Sequence, residues 1–145
     1  MDVFRAQFLL ESLHDLKHQL LTKNISLLVF LDKPEIKLKA ICDSYQIDSI
    51  YKQKEWTHEE NISKIKVQKS LQNTIKIIEV YNQFLYHPED VNIKIENIPQ
   101  VFSNLRKKLE KYVAVRANTE VQKLNSTNII NTTNHIPTLN ELGFK

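Results

Sequence analysis

An α/β fold built on an incomplete parallel sheet of about three strands follows from two patterns and one bulk property. Short strand-like runs at residues 26–31, 47–51 and 74–81 alternate with amphipathic stretches of helix length, the order of right-handed βαβ units. The first run, Ser-Leu-Leu-Val-Phe-Leu, is apolar nearly throughout, as a strand covered on both faces of a parallel sheet would be. The bulk property is size: 145 residues, 41% hydrophobic and 26% charged, amount to one domain with a real core.

The first helix is expected over residues 3–23. Leu9, Leu13, Leu16 and Leu20 recur there at three- and four-residue spacing, Phe8 and Leu10 broaden the stripe, and charged residues lie opposite. Glu11, His14 and His18 share the polar side and read as a solvated face. No further histidine or cysteine pair lies nearby to complete a metal site. Asp32-Lys33-Pro34 stops the apolar run and starts a second helix, since proline suits a first turn. Ile36, Leu38, Ala40, Ile41 and Tyr45 are expected on its buried side. Cys42, the one cysteine, falls among them as a small core residue and excludes an internal disulfide.

Thr57, with Glu60 three residues on, has the signature of a capping box. It opens a third helix running to about residue 73, apolar at Ile62, Ile65, Val67 and Leu71. Pro99 is expected at the first position of a fourth, short helix, where its missing N–H is no loss. Val101, Phe102, Leu105 and Leu109 would then dock one face of that helix on a sheet. Arg106, Lys107, Lys108 and Lys111 load its last turns, where cations complement the helix dipole.

Beyond Val113 the pattern dissolves. Residues 118–134 are rich in asparagine, threonine and serine and too poor in large apolar groups to order themselves, so they read as a linker. The triplets at Asn125 and Asn131 have glycosylation spacing, which an intracellular chain would leave unused. A net charge of +3 does not by itself imply nucleic-acid binding. No apolar run is long enough for a membrane span, and the first residues lack the apolar centre of a signal peptide. A cytoplasmic or other intracellular location is expected. The single glycine, Gly143, leaves no phosphate-cradling loop anywhere earlier, which excludes a dinucleotide fingerprint or a P-loop.

Three stretches resemble the cryptochrome DASH branch of the photolyase/cryptochrome family. They are Phe4-Arg5-Ala6-Gln7-Phe8-Leu9-Leu10-Glu11-Ser12-Leu13; Leu85-Tyr86-His87-Pro88-Glu89-Asp90 followed by Ile98-Pro99-Gln100-Val101-Phe102 and the basic helix; and Ile136-Pro137-Thr138-Leu139 with Leu142-Gly143. The resemblance spans nearly the whole chain. It implies a Rossmann-like sheet, a partial antenna-type α/β domain over residues 1–112, and over 113–145 a largely irregular linker toward a helical FAD-binding domain. The family's opening strand, arginine-rich loop and second strand have no counterpart here, nor has its helical domain. The expectation is therefore a fragment from a truncated or split gene, non-catalytic alone.

In the full-length family, FAD excited by blue light splits pyrimidine dimers in DNA, and methenyltetrahydrofolate serves as antenna. No cofactor is expected on the fragment alone, and DNA is a partner only in the full-length family. Glu55 best matches the acidic contact to the folate, and Trp56 would be a ring beside it. Their alternative readings are an acid favoured by a helix N-terminus and a half-buried packing residue. Neither catalytic nor metal-ligating residues are expected. Arg106, Lys107, Lys108, Lys111 and Arg116 read as a solvated face or as contacts to DNA phosphates. His87 reads as a turn-stabilising hydrogen-bonder. If the missing strands belong mid-sheet, residues 26–31 must pair directly with 47–51 or leave open edges. Open edges would invite self-association or a partner that supplies those strands. A standalone ligand- or protein-interaction module is the alternative from another class.

Overall fold

A computed structural model describes residues 2–72 and 75–144. The elements run α1 (Val3–Thr22), α2 (Pro34–Tyr45), β1 (Ser49–Gln53), α3 (His58–Ser70), β2 (Lys76–Val80) and α4 (Phe102–Tyr112), with 3-10 turns at Pro88–Asp90, Ile95–Asn97 and Ser126–Asn128. The chain divides into two compact units, Met1–Lys33 with Thr119–Lys145, and Pro34–Asn118.

Within Pro34–Asn118, β1 and β2 pair in parallel, Ser49 opposite Lys76 and Gln53 opposite Val80. Helices α2 and α3 pack on each other. Cys42, Val67 and Leu71 are the buried centre, with Leu38, Ile47, Ile50, Ile75 and Ile77 packed against them. Burial raises the Cys42 thiol's pKa above its usual value, as suits an unreactive core residue. The capping box at α3 forms as its spacing requires. The Glu60 amide donates to Thr57 Oγ1 at 3.4 Å and the Thr57 amide to Glu60 Oε2 at 3.3 Å. The bonds to Thr57 hold the Glu60 carboxyl below the usual range.

The α/β class stands, but the sheet is smaller than expected: among the described residues it has two strands. Residues 26–31 form no ladder, and one side chain takes the place of a strand partner at Val29. The Val29 amide donates to Asn134 Oδ1 and Asn134 Nδ2 donates back to the Val29 carbonyl, both at 2.8 Å. An amide side chain thus stands in for a strand neighbour. The Ile130 amide on Ser26 Oγ (2.8 Å) and the Leu124 amide on the Lys23 carbonyl (2.9 Å) tie the same stretch further. Residues 119–144 are mostly irregular yet hydrogen-bonded to the N-terminal stretch, with Ile136 buried. Strand β1 begins two residues later than expected, and Asn73 and Thr74 lie outside the described residues.

All four helices differ in detail from expectation. On α1, Ala6 and Leu10 are buried and Leu13 and Leu20 half-buried, while Phe8, Leu9 and Leu16 stay exposed. Apolar residues occupy more than one face of this helix, and spacing alone does not say which turns inward. Likewise Ile36, Ala40, Tyr45, Ile62 and Ile65, expected inside, are exposed. Helix α4 starts after Val101, not at Pro99, and does not dock on the sheet as expected: Phe102 is 72% exposed and Val101 57%. Its basic residues are partly spent locally, since Arg106 pairs with Glu110 at 3.5 Å and Lys111 lies over the Tyr112 ring.

Candidate ligand site at the carboxyl ends of β1 and β2

Parallel strands leave the sheet on the same side, so Lys54-Glu55-Trp56 after β1 and Tyr81-Asn82-Gln83-Phe84 after β2 meet there, where open α/β sheets hold ligands. The Lys54 amide still bonds to the Val80 carbonyl at 2.8 Å, which fixes the two exits to each other. Trp56 faces Tyr81 and Phe84, with ring centroids 5.7 and 6.1 Å apart. Tyr81 meets His87 edge-on at 5.4 Å. The separations are those of favourable tilted aromatic pairs.

Lys54 Nζ donates to Tyr81 Oη at 2.7 Å and lies over the Tyr81 ring, 4.7 Å from its centroid. That hydrogen bond raises the ammonium's pKa above the usual lysine value. Glu55 is held on both oxygens: Gln83 Nε2 donates to Oε2 at 2.6 Å and Gln53 Nε2 to Oε1 at 3.3 Å. Trp56 and Phe84 are each 52% exposed, so ring surface remains for a flat molecule. Glu55 also borders a cavity of about 230 Å³ walled by Pro34, Leu38, Ile50, Val67 and Ile77. Beside it, Glu79 pairs with Lys64 and, at 3.6 Å, with Lys52, and the Lys64 bond holds the Glu79 carboxyl below its usual range.

The sequence pointed to Glu55 and Trp56; the structure brings Tyr81, Gln83 and Phe84 to them. These three were missed because nothing local marks residues so distant in sequence, Gln83 being 28 positions from Glu55, as neighbours of the site. A parallel register was the signal that could have found them, since it aligns the two strand exits. His87 does what its turn suggested: its Nδ1 accepts from the Glu89 amide at 3.3 Å at the head of the Pro88–Asp90 turn. Asp90 in that turn takes Arg116 in two bonds, at 2.6 and 2.7 Å, which lowers the carboxyl's pKa and removes Arg116 from any open basic cluster. Glu11, His14 and His18 stay apart from any metal geometry: among the described residues no group of three or more such side chains could hold an ion. Nor is any described helix long and apolar enough to cross a membrane.

The sequence profile of the DNA photolyase family matches residues 1–126. The chain belongs to the DNA photolyase family. Among curated relatives, cryptochrome DASH of Gloeobacter violaceus is 33% identical over 77% of the chain and 23% of its own length. The tomato (Solanum lycopersicum) cryptochrome DASH, chloroplastic/mitochondrial, is 28% identical over 97% of the chain and 28% of its own. A solved cryptochrome from Synechocystis sp. superposes with a TM-score of 0.73 at 27% identity, covering 91% of this chain and 28% of that one. This photolyase-family chain thus spans about a quarter of the relatives it matches, and its two-stranded sheet with flanking helices corresponds to a portion of their fold.

Proposed function

We propose that this chain is the antenna-type α/β portion of a cryptochrome DASH-like photolyase, non-catalytic alone, and that Glu55 and Trp56 face a folate antenna. The carrying observation is the pairing of an open aromatic wall with a fixed carboxylate at the carboxyl ends of β1 and β2. A pterin is flat and edged with N–H donors, so it fits the exposed Trp56 ring by stacking, with Phe84 tilted 52° beside it, and the Glu55 carboxylate by hydrogen bonding. Methenyltetrahydrofolate there would supply light absorption. Glu55 would orient its ring, Trp56 would cover one face with Phe84 against its edge, and the Lys54 ammonium would add positive potential at the rim. In the complete protein, DNA repair or photoreception then rests on FAD bound by residues outside this stretch. The family membership disfavours a standalone interaction module.

Equilibrium titration of the full chain with methenyltetrahydrofolate, read by its near-UV absorbance, tests this. Saturable 1:1 binding that Glu55→Ala weakens tenfold or more is expected; no binding overturns the antenna role. We further propose that the outer edge of β1 pairs with a strand from a second copy or a partner chain, because its outward N–H and C=O groups have no ladder partner among the described residues. Size-exclusion chromatography should show association that grows with concentration, and a stable monomer throughout would contradict it.

A further inference from the structure

The geometry points to Gln83 as a positioning residue that sets the orientation of the Glu55 carboxylate and so its selectivity for ligands presenting two adjacent N–H donors. The inference rests on the folate reading above and goes beyond it, since Gln83 belongs to a segment whose sequence reads only as a strand exit. Three residues of that exit converge on the site: Tyr81 and Phe84 by ring contacts to Trp56, and Gln83 by a 2.6 Å hydrogen bond to Glu55 Oε2. Gln53, from β1 itself, holds Oε1 more loosely at 3.3 Å.

A glutamate side chain on a strand exit has several free torsions, and ordering it on ligand binding costs conformational entropy. The Gln83 amide fixes that carboxylate beforehand. A carboxylate offers about four lone-pair sites, so each oxygen keeps one for a ligand after accepting from Gln53 and Gln83. The remaining sites lie in the carboxylate plane and match a ring N–H and an exocyclic amino group side by side, as a 2-aminopterin edge presents them. A heterocycle with oxygen in place of the amino group turns an acceptor toward the carboxylate and is rejected by an unpaired, repulsive contact. A freely rotating Glu55 would lose that discrimination first, because it could turn one oxygen away from the misfit.

Trp56 is the chain's sole tryptophan, so its emission reports ring stacking directly. The probes are pterin and lumazine, which differ by amino against oxo at one ring carbon, titrated against the full chain and its variants by Trp56 quenching. Gln83→Leu should weaken pterin binding about tenfold, roughly 1.4 kcal/mol, while leaving lumazine nearly unchanged, so that the pterin-to-lumazine affinity ratio falls. Gln83→Lys, which keeps a donor toward Glu55, should retain most of the ratio. Gln83 is exposed, and far-UV circular dichroism of both variants should match the parent. A ratio unaltered by Gln83→Leu overturns the role of Gln83 while leaving the folate reading intact. A parent chain that binds methenyltetrahydrofolate but never discriminates pterin from lumazine does the same. A parent chain that binds neither folate nor pterin removes both readings.

Discussion

The block α2–β1–α3–β2 and residues 26–31 both carry strand signals, yet they end in different states. In the block, local signals and tertiary neighbours agree. The strands find each other in parallel register, the capping box closes, and Cys42, Val67 and Leu71 go inside. Residues 26–31 have the stronger apolar pattern and no ladder, and the Asn134 side chain satisfies Val29 instead. Hydrophobicity makes a segment want burial, whereas only a neighbouring strand makes it a strand. Side-chain amides can meet the backbone's hydrogen-bonding requirement where no such neighbour exists.

That contrast is open to attack by substitution. The largest effect is expected inside the block, at Leu71, which is 4% exposed: Leu71→Ala should cost about 2–5 kcal/mol in urea unfolding, through lost contacts and the cavity left behind. A loss below about 1 kcal/mol would mean that the block is not the stable part. Asn134→Ala removes both bonds to Val29 and should cost about 2 kcal/mol, with faster amide exchange at Val29. If residues 26–31 were held by packing alone, exchange there would not change. Thr57→Ala should cost about 1 kcal/mol by uncapping α3.

The smallest effect concerns the C-terminal turn. Bonds from Thr138 and His135 hold the Glu141 carboxyl at about 2, well below its ordinary 4.5. A folded-state pKa lowered in this way stabilises fully above the ordinary value and loses that contribution as pH falls from 4.5 toward 2. Glu141→Gln should therefore reduce the difference in urea midpoint between about pH 5 and about pH 3, and an unchanged difference would place the turn outside the cooperative fold.

What could be read in advance was whatever depends on near neighbours. Thr57 with Glu60, Pro34 at the head of α2, the span of α1 and the His87 turn all rest on residues a few positions apart. The core role of Cys42 followed from helical spacing. Illegible was what depends on distant partners: which apolar face of α1 turns inward, how Asn134 reaches Val29 across 105 positions, and that Gln83, 28 positions on, joins Gln53 in holding Glu55. Pro99 misled for a related reason. Proline is compatible with a first helical turn but equally with the approach to one, and the chain bends at Gln100–Val101, with Val101 itself extended, before α4 begins. Of the site, Glu55 and Trp56 were legible from their place after a strand, and the wall opposite them was not.

The central structural claim is that the site hangs on a sheet that stops at β1. Amide hydrogen exchange along β1 at decreasing protein concentration tests it most directly. Ladder bonding from Asp48 to Lys54 directs the Ile50 and Lys52 amides into β2 and those of Ser49, Tyr51 and Gln53 outward. The account predicts that Ile50 and Lys52 stay protected at every concentration, while Ser49, Tyr51 and Gln53 lose protection on dilution. Equal protection of both sets in the most dilute sample would show that a further strand of the same chain covers β1 and would contradict the account.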